Sequence, residues 1–316
     1  MDKSRRSFLK KSFALGAGFT GMSMGLDMAF ASGFAADKGF AAGKGLAAGK
    51  GLASGKGLVP VMGVCTSLDN RATALNAGCD FIEEGVSRFL APDKPDSEFE
   101  KNLALLTENP LKVLSCNGFI PGNMRLTGPE LNHKEALDWA EIALRRAGKA
   151  GVKYIVLGSG AARKIPEGFD PGKARDQFVE FCKQVGKRAE GTGVTVVIEP
   201  LNQSETNFIN TVTEGADIVK RVKHKNVMLL CDIYHMMKDG EGPESIVKAG
   251  KYLRHCHIAE KETRTPPGVK GDDFRPYFNA LKKIKYKGAI SIECGWKDFK
   301  NELPVAISIM HNQWKS

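Results

Sequence analysis

Val194-Thr195-Val196-Val197-Ile198-Glu199 is a short apolar run closed by a carboxylate, and three later stretches repeat its design. They are Val227-Met228-Leu229-Leu230-Cys231-Asp232, Leu253-Arg254-His255-Cys256-His257 and Ala289-Ile290-Ser291-Ile292-Glu293. Runs of this length and composition read as buried strands. Their closing residues stand 33, 25 and 36 positions apart, each interval long enough for a strand, a helix and two loops. Units of that kind imply a parallel sheet with crossover helices. In a closed barrel the four polar side chains converge at the carboxyl-terminal face, where such barrels carry their chemistry. A lone acid at a strand end is usually a helix cap or a loop ion pair. Four polar groups at equivalent positions of four consecutive units form a pattern instead. Three carboxylates and one imidazole make a hard oxygen and nitrogen donor set for a divalent cation. The pattern predicts one metal site made by Glu199, Asp232, His257 and Glu293.

Outward from these runs, strands are predicted near Val59–Cys65, Cys79–Glu83, Lys112–Cys116, Lys153–Leu157, Val194–Glu199, Val227–Asp232, Leu253–Ala259 and Gly288–Glu293. Helical patterns lie between them, clearest over His133–Ala150 and Lys173–Glu190, where Phe178, Phe181, Cys182 and Val185 recur at helical spacing. Others fall near Ser97–Thr107, Thr211–Val222, Pro243–Ala249, Phe274–Ile284 and Leu303–Trp314. Strictly alternating elements predict an α/β fold, an eight-stranded parallel (β/α)8 TIM barrel over residues 58–316. An open doubly wound sheet is the alternative, but no GxGxxG loop follows the first strand. The Gly158-Ser159-Gly160 turn with Arg163 reads either as an anion cradle or as a tight exit from a strand. His255 and His257, two apart on a strand, both point into the barrel, and only His257 reaches the rim. His255 is expected to fill a layer or to support a ligand. His235, three residues past Asp232, is expected in a loop, touching substrate and not core. His133, His224 and His311 are expected to face solvent.

The amino-terminal region is of another kind. Ser4-Arg5-Arg6-Ser7-Phe8-Leu9-Lys10 is a twin-arginine export signature, followed by a weakly apolar, glycine-rich stretch and a small-residue cleavage site at Ala29-Phe30-Ala31. Residues 1–31 are therefore expected to be a signal peptide recognised by the twin-arginine translocase, which exports folded proteins to the periplasm. Asp27 and several glycines interrupt a stretch already short for a membrane span. Residues 32–57 hold a period-six repeat, Lys38-Gly39-Phe40-Ala41-Ala42-Gly43 and its echoes, whose composition predicts a flexible basic linker. These two segments account for most of the net charge of +10. Residues 1–36 carry five Lys or Arg against two Asp, and residues 37–58 carry four Lys against one Asp, leaving +4 for the remainder. That surface is ordinary, and no nucleic-acid partner is expected. The seven cysteines include no CxxC pair, so they read as buried free thiols and not as a zinc knuckle or disulfide framework.

With these motifs in order, the chain resembles the xylose isomerase-like barrel superfamily, in its sugar isomerase and epimerase branch of ketose 3-epimerases and hydroxypyruvate isomerases. The resemblance rests on Ile198-Glu199-Pro200-Leu201-Asn202-Gln203-Ser204-Glu205, Cys231-Asp232-Ile233-Tyr234-His235-Met236, His255-Cys256-His257-Ile258-Ala259-Glu260, Arg264-Thr265-Pro266-Pro267-Gly268 and Ile292-Glu293. Earlier, Phe81-Ile82-Glu83 and Ser115-Cys116-Asn117 match more loosely. It implies one divalent ion (Mn2+, Co2+, Mg2+ or Zn2+) on the predicted quartet, with Glu199 and Glu293 as acid and base. It also implies that Glu205, His235 and Arg264 hold substrate oxygens. The segment from His257 to Arg264 is one residue longer than the family pattern, so Arg264 is aligned through the Pro267-Gly268 that follows. Trp296 stands where simple ketose epimerases carry another residue.

The leading functional expectation is a metal-dependent isomerase or epimerase of a small sugar or hydroxy-keto acid, working by proton abstraction next to a carbonyl through an enediolate. A second is a periplasmic 3-keto-glycoside lyase or hydratase using the same site. A third is a non-catalytic sugar-binding protein or an endonuclease-IV-like barrel, although six histidines barely supply a trinuclear zinc cluster. A homo-oligomer is compatible with the sequence.

Overall fold

In the computed structural model, which describes residues 59–316, the predicted alternation closes on itself. The strands are β1 (Val61–Cys65), β2 (Phe81–Gly85), β3 (Lys112–Asn117), β4 (Tyr154–Leu157), β5 (Thr195–Ile198), β6 (Val227–Asp232), β7 (Leu253–Ile258) and β8 (Ala289–Ile292). Each pairs in parallel with the next, and β8 pairs with β1, giving the closed (β/α)8 barrel. The signal and linker readings, residues 1–31 and 32–57, lie outside the described residues.

Local chemistry sets the long helices. His133–Ala150 begins where Asn132 Oδ1 accepts the Glu135 amide at 3.2 Å and ends at Gly151, whose φ of 75° is a low-cost left-handed stop. Pro171–Arg188 starts two residues before its expected position, because Asp170 caps it and Pro171 occupies the first turn. Its Phe178, Phe181, Cys182 and Val185 are buried, as their spacing requires. Thr211 and Glu214 form a reciprocal capping box on Val212–Val222.

Most apolar side chains fill the layer between strands and helices. A small second cluster, Val156, Val197 and Leu230, with Tyr154 and Met228 against it, plugs the barrel interior. Above that plug the interior turns polar. His255 is fully buried, stacks on Tyr154 with ring centroids 5.4 Å apart, and meets Phe81 at 6.3 Å. Five of the seven cysteines are buried, Cys65 and Cys294 are half-buried, and all are free. The other histidines depart from expectation. His133, His224 and His311 are half-buried rather than solvent-facing. His133 bonds the Leu126 carbonyl at 3.0 Å and packs on Phe181, and His224 meets Glu190 at 3.0 Å.

Candidate active site

Parallel register brings the four predicted ligands to one rim. Asp232 pairs directly with His257 across β6 and β7, while Glu199 and Glu293 follow the last residues of β5 and β8. One ligating atom from each of Glu199, Asp232, His257 and Glu293 lies within 4.8 Å of every other. His257 Nδ1 is the hub, 2.9 Å from Glu199 Oε1 and 3.0 Å from Glu293 Oε2. Asp232 divides its two oxygens. Its Oδ1 accepts the Tyr234 amide at 2.7 Å and the His235 amide at 3.4 Å, whereas Oδ2 is buried without a hydrogen bond. A carboxylate oxygen left bare inside the protein is costly. An orphan facing an imidazole and two carboxylates fits a divalent cation, and the all-oxygen-and-nitrogen set fits a hard or borderline one.

Charges in this space are strongly interdependent. Burial pushes the Glu199 carboxyl up, and the Glu293 and Asp232 charges add to that against the opposing His257 imidazolium. Burial also acts to raise Glu293, but His257 and the Arg264 guanidinium outweigh it and hold that carboxyl down to about 2. Burial disfavours the charged His257 ring, yet Glu83, Glu293 and Glu199 together raise it well above an ordinary imidazole.

Glu83 has a part in the site that its sequence position does not announce. It lies on β2, across the barrel, where a register shift between Ile82 and Glu83 re-aims the strand. Its Oε1 sits 2.9 Å from His257 Nε2, and its Oε2 accepts Ser115 Oγ at 2.5 Å and His255 Nε2 at 2.7 Å. The His257 ring thus has one nitrogen toward the quartet and the other 2.9 Å from a buried carboxylate, an ion-pair contact outside hydrogen-bond geometry that stands where metal-binding histidines take their outer partner. His255 is a supporting group, as expected. Burial works against ionisation of Glu83, but the two imidazoles prevail and lower its carboxyl well below the usual range. Cys65, Glu83 and His257 form a second close trio. Burial, with the charges of Glu83 and Glu293, pushes the Cys65 thiol up, and its Sγ lies 3.3 Å from Ser291 Oγ. A protonated thiol beside a carboxylate and imidazole already paired makes the trio a poorer cation site than the quartet.

The three predicted substrate contacts surround the quartet. Arg264 Nη2 lies 2.6 Å from Glu293 Oε2 and 3.7 Å from Asp232 Oδ2, and Nη1 lies 3.6 Å from Glu205 Oε1. Its guanidinium stacks 4.8 Å above the Tyr234 ring. The backbone there is strained, with φ 51° at a non-glycine residue. Buried Glu260 organises the loop that carries it, accepting Thr265 Oγ1 at 3.0 Å and the amides of Gly268 and Gly271 at 2.8 and 2.9 Å. Glu205 is partly exposed, at 39% of its side chain, and can face a ligand. His235 corrects an expectation: it lies on a helix, Ile233–Asp239, and is buried. The reason is Asp232, whose Oδ1 caps the first turn and folds the chain back at once. Asn117 Nδ2 also donates to Glu293 Oε1 at 3.2 Å.

Arg163 decides between the two readings of its turn. It is fully buried and carries no anion-cradle geometry; its guanidinium donates to the carbonyls of Phe208, Leu157, Glu199 and Ile209 at 2.8–3.3 Å. The glycine turn before it makes room instead. A Cβ on Gly158 would stand 2.3 Å from Glu199 Oε2, so the missing side chain is where the Glu199 carboxylate sits. Trp296, in the loop after β8, packs edge-on against Phe299 with centroids 5.1 Å apart.

Known proteins resemble this chain to different extents. Over 251 residues the chain is 30% identical to an L-ribulose 3-epimerase of a Methylomonas species, covering 77% of this chain and 84% of that one. A D-psicose 3-epimerase of Ruminiclostridium cellulolyticum is 36% identical, but over 119 residues, only 37% of this chain and 40% of that relative's length. The solved D-psicose 3-epimerase of Clostridium cellulolyticum H10 with D-tagatose superposes with a TM-score of 0.70 at 25% identity, covering 80% of this chain and 96% of the other. The family model described as the xylose isomerase-like TIM barrel matches residues 72–311. Fold, register and the extent of that match agree, and the chain belongs to the xylose isomerase-like TIM barrel family.

Proposed function

We propose that this enzyme is an epimerase or isomerase of a small ketose or related hydroxy-keto compound, moving a proton on a carbon next to the carbonyl. The observation that carries the reading is the rim quartet, with ligating atoms of Glu199, Asp232, His257 and Glu293 within 4.8 Å of one another around a buried Asp232 oxygen that accepts no hydrogen bond. Epimerase names among the relatives point the same way. The quartet would hold one divalent ion, Mn2+, Co2+, Mg2+ or Zn2+. Bound there, such an ion supplies positive charge to neighbouring substrate oxygens and so acidifies the C–H bond beside the carbonyl.

The rest falls to the chain's own side chains. Glu199 and Glu293 reach His257 from β5 and β8. In this reading one carboxylate takes the proton and the other returns it from the opposite face. Return to the same carbon epimerises; return to its neighbour isomerises. Arg264, His235 and Glu205 would grip substrate oxygens, and the Glu260-braced loop keeps Arg264 over the site. Among the described residues the only groups with metal-ligand spacing are the quartet and the Cys65 trio that shares His257, which gives little support to a trinuclear nuclease site. We place the enzyme in the periplasm on the strength of the Arg5-Arg6 signature.

The test is a metal-loaded incubation of free ketoses, hydroxypyruvate and 3-keto-glycosides in deuterated water, followed by NMR. Deuterium should enter a ketose at the carbon beside its carbonyl. Fully loaded wild-type protein that exchanges nothing on any of these substrates would falsify the proposal.

A further inference from the structure

The hydrogen of the neutral His235 ring can be located from its neighbours, and locating it gives Asn202 a role. Asn202 is 1% exposed and uses its whole amide. Its Oδ1 accepts the Ser204 backbone amide at 3.0 Å and also Ser204 Oγ. A backbone N–H can only donate, so that end of the amide is the oxygen. The other end, Nδ2, therefore faces His235 Nδ1 at 2.8 Å and Glu205 Oε1 at 3.0 Å, one hydrogen for each. A nitrogen that receives a hydrogen bond must offer a lone pair. Nδ1 of His235 thus carries no hydrogen, and the neutral ring bears it on Nε2. That Nε2 is buried, lacks a hydrogen-bond partner and lies 3.3 Å from the unpaired Asp232 Oδ2. A buried donor without an acceptor is disfavoured. This one borders the ligand quartet, where a substrate oxygen must approach.

We propose that Asn202 is a positioning residue that locks His235 as the Nε2–H tautomer, a neutral donor to one ketose oxygen, while the same amide holds Glu205 as an acceptor for another. The inference rests on the ketose reading of the site. Every sugar hydroxyl both donates and accepts, so a donor and an acceptor tied to one rigid amide can hold two of them in a fixed relation. The amide touches neither substrate nor metal ligand in this scheme; it acts through His235 and Glu205.

The tautomer is read on the Mg2+-loaded full chain labelled with 15N-histidine, because proton-bearing and bare ring nitrogens have separate NMR signatures. The expected result is a bare Nδ1 and a protonated Nε2 at His235; a hydrogen on Nδ1 of the neutral ring overturns the inference. Asn202→Asp, nearly isosteric, presents an oxygen to Nδ1 and should draw the hydrogen there. Calorimetry with D-fructose and D-psicose as probes supplies the second readout. Asn202→Asp and His235→Phe should each weaken binding about 10- to 100-fold, the range for losing a buried hydrogen bond. His235→Gln, whose amide N–H reaches the Nε2 position, should restore most of the affinity. Equal losses in His235→Gln and His235→Phe, with wild-type melting temperatures, overturn the donor assignment, as does wild-type protein that binds neither probe. Neither readout depends on turnover. A correct tautomer with ketose binding but no deuterium exchange would therefore support this inference and remove the catalytic proposal.

Discussion

Replacing Glu83 with Gln is expected to weaken metal binding without unfolding the barrel. Glu83 meets two donors on one oxygen and an ion-pair partner on the other: Ser115 Oγ and His255 Nε2 converge on Oε2 at 2.5 and 2.7 Å, and Oε1 faces His257 Nε2 alone at 2.9 Å, close but outside hydrogen-bond geometry. Glutamine has one oxygen. The less costly orientation puts it where two donors meet and turns the NH2 toward His257. Nε2 of His257 must then accept, and the neutral ring carries its hydrogen on Nδ1, the nitrogen that faces Glu199 and Glu293. A ligand nitrogen needs a lone pair. Binding an ion would force the ring back to the other tautomer, with two buried donors opposed where the wild type sets a carboxylate oxygen 2.9 Å from the ring nitrogen. An unmade buried bond costs about 1–3 kcal/mol, and losing the outer partner of a metal-binding histidine typically weakens affinity about 10- to 100-fold. Calorimetric titration of Mn2+ into metal-stripped wild-type and variant protein measures the effect, with thermal melts alongside. An unchanged dissociation constant would refute the tautomer argument. A lower melting temperature with unchanged affinity would reduce Glu83 to a packing role.

The remaining predictions concern the same interior and the amino terminus. Glu199→Gln and Glu293→Gln should each keep much of their metal yet lose solvent deuterium exchange by about 10²- to 10⁴-fold, as read by NMR. Metal affinity should climb with pH: the carboxylates around His257 raise its proton affinity, and that proton must leave before Nδ1 can ligate. The opposite sign applies to the metal-free fold. The His257 contribution is complete below the ordinary imidazole pKa and fades as pH rises through the raised one. The Glu293 contribution is complete above the ordinary carboxylate range and fades as pH falls toward about 2. Denaturant melts of stripped protein across pH check both. Arg163→Met would strip donors from four buried carbonyls, including that of Glu199. The carbonyls of Leu157 and Ile209 keep the backbone amides of Glu199 and Leu201, so two are orphaned, and the change should cost at least about 2 kcal/mol at about 1–3 kcal/mol per orphaned group; a loss below about 1 kcal/mol in urea melts would show that water replaces the guanidinium. Arg5→Lys with Arg6→Lys should leave the precursor in the cytoplasm on cell fractionation, and periplasmic accumulation would disprove the twin-arginine route.

What was legible in the sequence follows from which interactions are local. All eight strands stand near their expected positions because buried parallel strands are nearly continuous apolar runs. The helix His133–Ala150 was legible to the residue because its cap and its stop, Asn132 and Gly151, flank it directly. The convergence of Glu199, Asp232, His257 and Glu293 could be read because register turns equivalent strand ends into spatial neighbours. Glu83 offered no such cue: it meets His257 across the barrel, between residues 174 positions apart in the chain, and no spacing rule reaches that far. The helix after β6 was hidden because Asp232 is both the end of a strand and a helix cap, and seven residues are too few for periodicity to show. The turn before Arg163 stayed open because a glycine turn before an arginine looks the same whether it cradles an anion or clears space for a carboxylate.

The origin of the site's parts divides the barrel into two unequal halves. All four members of the quartet come from β5 to β8, whereas Glu83 and the Ser115 and Asn117 that support the centre come from β2 and β3. A second half alone would own every member of the quartet and still lack the carboxylate that faces its histidine. With an ion on the quartet as proposed, affinity for it would gauge ring closure. In a chain synthesised from its amino terminus, the carboxylate is already waiting when β7 arrives, and the tightest grip on a cation would come only after the first and last strands have met.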